Sequence, residues 1–211
     1  MLTLNLVTAP SVEPVTYAEA KAYLRLEHDA DQALITSLIT TARRLIENQK
    51  GRSFVRTTWE QYLDGFPYGG GYFKRAERYN YGNPNWLPNT NAQPISVPRS
   101  PLLSVRSIQY LSASTTWQTL DPSQYRVVAG SPGQILPVYG SLWPFPLPQD
   151  ASVRVSFDAG FGDDASSVPE TVKTAIKQYV VALYENRGED SVPIPQAISW
   201  LLDDVDTGIY M

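Results

Sequence analysis

The sequence predicts an α+β fold: a small helical bundle of two N-terminal and two C-terminal helices, with an antiparallel β-sheet inserted between the pairs. Three observations predict it. Apolar side chains recur at helical spacing towards both ends of the chain, they alternate every second residue through the middle, and clusters of Pro, Gly, Ser and Asp cut the middle into short runs.

The first helix is expected over residues 16–26. Thr16 with Glu19 three residues later forms a capping box, in which each side chain satisfies a backbone N–H of the other. After Glu27, His28 and Asp29, a second helix over 31–50 carries the stripe Leu34, Ile35, Leu38, Ile39, Ala42, Leu45 and Ile46, and stops before Gly51. Arg43, Arg44 and Glu47 fall off that stripe and are expected to face solvent or a neighbour. From Phe54 the period changes to two, with Val55, Thr57, Trp59, Gln61 and Leu63 on one face of a strand. Further strands are expected over 105–112, 125–128, 135–139 and 153–157. The helical period returns after Val168-Pro169-Glu170 and runs through Val172, Ala175, Ile176, Tyr179, Val180, Leu183 and Tyr184 to Gly188. A last short helix is expected over 195–202. The two long helices each present one apolar stripe and most simply pack on each other. Residues 1–53 therefore read as the N-terminal helices, 54–158 as the β-region with a long loop at 66–94, and 159–211 as the C-terminal helices and tail of a single structural unit.

Composition narrows the function. The chain has 211 residues, 43% hydrophobic and 18% charged, as folded soluble chains do. It has no cysteine, which removes disulfides, thiolate nucleophiles, zinc ribbons and iron–sulfur clusters together. No apolar run reaches the ~20 residues of a membrane helix, and the opening MLTLNLVTAPSVEP has no basic segment followed by an apolar block, so a product without an export signal is expected. Net charge is −4, unevenly placed: residues 158–211 carry 3 basic and 10 acidic side chains, a local net of −7. A nucleic-acid grip needs a concentrated basic face, which this balance disfavours.

No catalytic constellation emerges. The only histidine, His28, sits in the loop Glu27-His28-Asp29-Ala30-Asp31 and reads as a solvated or capping residue. Asp163 with Asp164, and Asp203, Asp204 and Asp206, have the oxygen donors of a hard-cation site but not the spacing of a calcium loop. Gly69-Gly70-Gly71 lacks the Lys-Ser or Lys-Thr of a phosphate loop. No catalytic residue, metal or cofactor is expected.

Two other features point outward. The long loop mixes aromatic and basic side chains in Tyr72, Phe73, Lys74, Arg75, Arg78, Tyr79, Tyr81 and Trp86, a composition shared by protein interface hot spots, plain loop packing and nucleic-acid or sugar sites. A second Pro-aromatic stretch, 139–148, contains Trp143 and Phe145 and reads as a surface excursion or contact arm. The chain ends on Ile209, Tyr210 and Met211 after Asp206-Thr207-Gly208, an apolar terminus that either packs on its own fold or anchors in a partner.

Three stretches carry a family resemblance: EPVTYAEAKAYLRLEHDADQALITSLITTARRLIENQKGRSFVRTTWEQYLDGFP, PLLSVRSIQYLSASTTWQTLDPSQYRVV and VRVSFDAGFGDDASSVPETVKTAIKQYVVALYENRG. In their order the chain resembles the head-tail connector, or adaptor, proteins of long-tailed bacteriophages and phage-like gene transfer particles. The resemblance implies a non-enzymatic virion protein at the head–tail interface, assembled in the bacterial host cytoplasm. It implies a homo-oligomeric ring of twelve beneath the portal protein, with a stopper or tail-completion protein below. DNA would pass through the channel without sequence-specific binding, and no membrane is involved. It further implies a portal contact at Trp200, Leu201, Leu202, Ile209, Tyr210 and Met211. The loop at 66–94 is longer than the family suggests, and its expected partner is a tail component or a neighbouring subunit. Channel-facing acids are expected in 158–211, at Asp203, Asp204 and Asp206. The alternative is an accessory receptor- or carbohydrate-binding module that uses the Tyr- and Trp-rich loop.

Overall fold

A computed structural model of the chain describes residues 3–67, 93–187, 189 and 192–206, with side chains described as far as Leu202. Helix α1 (Tyr17–Leu24) starts at the expected capping box. The Glu19 amide donates to Thr16 Oγ1 at 3.2 Å, and the Thr16 amide donates to Glu19 Oε2 at 2.7 Å. Helix α2 (Gln32–Lys50) ends at Gly51, whose φ of +62° is the left-handed cap that a residue without Cβ adopts freely. After the β-region come α3 (Glu170–Glu185) and α4 (Gln196–Asp206). Ile35, Ile39, Ala42 and Ile46 of α2 meet Val172, Ala175, Ile176, Tyr179 and Val180 of α3 in one buried cluster, so the two apolar stripes cover each other as their spacing predicts. Leu45 lies outside this seam and is exposed.

The β-region holds two antiparallel sheets instead of the single one expected. The larger joins β1 (Thr3–Thr8), β2 (Thr57–Leu63), β8 (Val153–Ala159), β4 (Leu102–Leu111) and β5 (Trp117–Thr119), in the order β1-β2-β8-β4-β5. The smaller joins β3 (Ile95–Ser96), β7 (Gln134–Pro137) and β6 (Tyr125–Val128), in the order β3-β7-β6. They face each other across a second core of Ile95, Ile108, Tyr125, Ile135, Val153, Val155 and Phe157. Strand β1 corrects the assignment of residues 1–53 to helices alone, because residues 3–8 form the outer edge of the larger sheet. Its TLNLVT run pairs with residues 58–62, more than fifty positions away, and that partner is invisible to local periodicity.

The two cores meet at a joint laced by backbone hydrogen bonds. Ser53 N–H donates to Ser100 O at 3.0 Å, Arg56 N–H to Gly162 O at 2.8 Å, Gly160 N–H to Pro101 O at 2.9 Å and Phe161 N–H to Phe54 O at 3.0 Å. Gly160 (φ +142°) permits this crossing, since a Cβ there would lie 2.6 Å from the Val55 carbonyl carbon.

Candidate assembly surfaces

The joint also explains two charged residues that the sequence sets off the apolar stripe. Arg43 and Glu47 are buried, not solvent-facing, because each neutralises the other one helical turn apart. Arg43 Nη1 donates to Glu47 Oε2 at 2.6 Å and Arg43 Nε to Glu13 Oε2 at 2.7 Å, while the Phe54 amide donates to Glu47 Oε1 at 2.8 Å. Burial pushes the Glu47 carboxyl above its ordinary pKa, opposed by Arg43 and that amide. Arg99 completes the network from the β-region: it donates to the α2 carbonyl of Glu47 at 2.8 Å and to Asn48 Oδ1 at 2.6 Å, and its guanidinium lies 4.5 Å from the Trp59 ring centroid. Arg44 is exposed, as expected.

From this joint the molecule extends two ways. At the helical end, α4 is held on the bundle by Ile198 and Leu202, four residues apart and both buried, with Leu201 packed half-buried beside them. Trp200 points away and is 65% exposed. The expected portal set is thus divided: Trp200 is available, whereas Leu202, 2% exposed, fills the core and is corrected from a partner contact to a packing residue. Ile209, Tyr210 and Met211 lie outside the described residues. Asp203, Asp204 and Asp206 fall in the last turn of α4, at the negative end of the helix dipole, where carboxylates are unfavourable; their side chains lie outside the described residues.

The other end is where β2 and β8 finish away from the bundle. Thr57 pairs with Ala159 beside the joint and Leu63 pairs with Val153 at the far end, a separation of roughly 20 Å at ~3.3 Å per residue. Here the long loop leaves and returns: Gln93 N–H donates to Pro67 O at 3.0 Å. Trp143 clamps that stem, stacking on Phe66 at 5.0 Å between centroids and donating from Nε1 to Gln93 O at 3.1 Å. Trp143 is therefore an anchor and not a contact residue, but the segment it anchors exposes Tyr139, Leu142 and Phe145. Tyr72, Phe73, Arg75, Arg78, Tyr79, Tyr81 and Trp86 lie outside the described residues. The stem of the long loop and the segment 139–148 thus lie together at this end of the β-region.

Elsewhere His28 is exposed on its loop, and Asp163 is paired with Arg56 at 2.8 Å. Asp158 accepts from Thr58 and Arg106 at 2.8 Å each and from Ser104 at 3.2 Å. Burial opposes its charge, but these donors hold its pKa below the ordinary aspartate value. Among the described residues no cluster of three or more His, Asp or Glu is placed to hold a metal, and no helix is long and apolar enough to cross a membrane.

No protein-family model matches the chain, and no curated protein does. Solved structures do. The chain is similar to a chain of the virion of a native gene transfer agent particle (TM-score 0.72, 20% identity, covering 95% of this chain and 93% of that one). It is equally similar to a chain in the neck of an empty gene transfer agent particle computed with C6 symmetry (TM-score 0.72, 20% identity, 96% and 94% covered). A third is a chain in the neck of a native particle computed with C12 symmetry (TM-score 0.70, 19% identity, 96% and 93% covered). Over almost its whole length, bundle, joint and both sheets included, the chain has the fold of chains found in the neck of a gene transfer agent particle.

Proposed function

We propose that this chain is a structural neck protein of a phage-like particle: an adaptor that forms a ring under the portal, joins the DNA-filled head to the tail and continues the DNA channel. The observation that carries this reading is the near full-length likeness to neck chains, supported by the exposed Trp200 on the bundle and the exposed aromatic segment on the β-region. Trp200 and the tail at 207–211 would meet the portal, and the aromatic end a stopper or tail-completion protein. The chain acts by binding and carries out no chemistry. Asp203, Asp204 and Asp206 would face the channel, where like charge keeps passing DNA from adhering.

The test is electron microscopy of particles produced with this gene disrupted. Tail-less heads that leak DNA, alongside free tails, are expected; intact tailed particles would reject the reading and leave a ligand-binding loop as the alternative. Neutralising the three aspartates is expected to slow DNA ejection without preventing assembly, and unchanged ejection would remove them from the channel wall.

A further inference from the structure

The larger sheet has two flanks of different chemistry. On one flank, among the described residues, β1 is bonded to β2 alone, and its outer edge carries no charge and no proline, the devices that normally blunt an open edge. The smaller sheet does not reach it. Gln61 Nε2 donates to Ser96 O at 3.3 Å, which sets β3 over β2, and Leu102 N–H donates to Gly130 O at 3.0 Å, which ties the turn between β6 and β7 to the start of β4. The inner face of β1 therefore overhangs, leaving Leu6 50% exposed, and Val7, at the register shift between Leu6 and Thr8, is 54% exposed beside it. The opposite flank is the free edge of β6 beside the short β5, with Val127 and Val128 38% and 44% exposed and Trp117 also exposed. The charges near the two flanks differ in sign: Glu60, opposite Asn5 of β1 and accepting from the Tyr62 hydroxyl at 2.9 Å, stands by the first flank, and the exposed Arg126 of β6 stands on the second. Asp121, also on the second flank, is engaged in capping the turn at Ser123.

We propose that the occupant of the β1 flank is the β6 flank of a second copy of this chain, so that neighbours join side by side through the β-region. This rests on the ring reading above. A closed ring larger than a dimer needs a heterologous contact, two different patches on opposite sides of one subunit, and this pair of apolar strand edges, one beside Glu60 and the other carrying Arg126, provides one. The joint and the two ends then stay free for partners above and below.

The chain's lack of cysteine makes the test clean. Leu6→Cys and Val128→Cys, singly and together, are introduced into particles, and purified necks are treated with a short bis-maleimide crosslinker and run on denaturing gels. The double variant is expected to give a ladder of dimer, trimer and higher multimers, with neither single variant crosslinking. As a second probe, Glu60→Arg is expected to reduce the number of assembled necks several-fold and Arg126→Glu to restore it. Rings visible by microscopy that give no ladder would overturn this inference alone, as would dimers from Leu6→Cys by itself, which require a symmetric β1–β1 contact. Necks without a ring of this chain would overturn the adaptor reading as well.

Discussion

The helical bundle and the β-region bury their apolar surface in different ways, and the difference shows where each is open to partners. The bundle closes on itself: the stripes of α2 and α3 cover each other, α4 is pinned by Ile198 and Leu202, and Trp200 is the large apolar side chain of α4 that stands out among the described residues. The β-region does not close. A five-stranded sheet faces a three-stranded one, so a strand overhangs and, among the described residues, each sheet ends in two edge strands. A closed bundle offers projecting side chains to a partner, whereas an open sandwich offers backbone edges and apolar flanks.

If the joint makes one cooperative unit of these regions, damage at the joint is felt by both. Glu47→Ala leaves Arg43 buried without its nearest partner and is expected to cost about 3–5 kcal/mol, measured by urea unfolding. Ile39→Ala in the bundle and Ile108→Ala in the β-region are each expected to cost about 2–5 kcal/mol and to shift one common transition. Two separated transitions, one moved by each substitution, would break the comparison by showing that the cores unfold independently.

A pH series sharpens it. Asp158 has its folded-state pKa below the unfolded value of about 3.9, so its contribution is present above that value and is lost as pH falls through the folded-state pKa. Thermal melts are expected to show a shallower acid-side loss of stability in Asp158→Asn than in the parent chain. Thr16→Ala removes the α1 cap and is expected to cost about 0.5–2 kcal/mol. The smallest effect on stability belongs to Trp200→Ala, within about 0.5 kcal/mol, although we expect it to weaken portal docking in a pull-down. A large loss of stability there would mean that Trp200 belongs to the bundle core.

The sequence made the elements with strong local signals readable: the Thr16–Glu19 cap, the α2 and α3 stripes and the alternation of β2. Arg43 and Glu47 stayed open between solvent and a neighbour because a hydrophobic pattern has no way to record two charges that satisfy each other inside. Strand β1 was missed because its evidence is a pairing across more than fifty residues, and one sheet became two because short strands do not announce which layer they join. Of the surface residues, Trp200 and Leu202 look alike in a one-dimensional stripe, and only the docking of α4 on α3 separates the exposed side chain from the buried one.

The four backbone hydrogen bonds at the joint have a mechanical meaning. The chain crosses between bundle and sandwich in adjacent segments tied carbonyl to amide, at a spacing so tight that Gly160 has no room for a Cβ. Such a crossing resists bending. Bending the bundle against the sandwich here would have to break main-chain hydrogen bonds as well as side-chain packing, as in a spliced joint and not a pinned one.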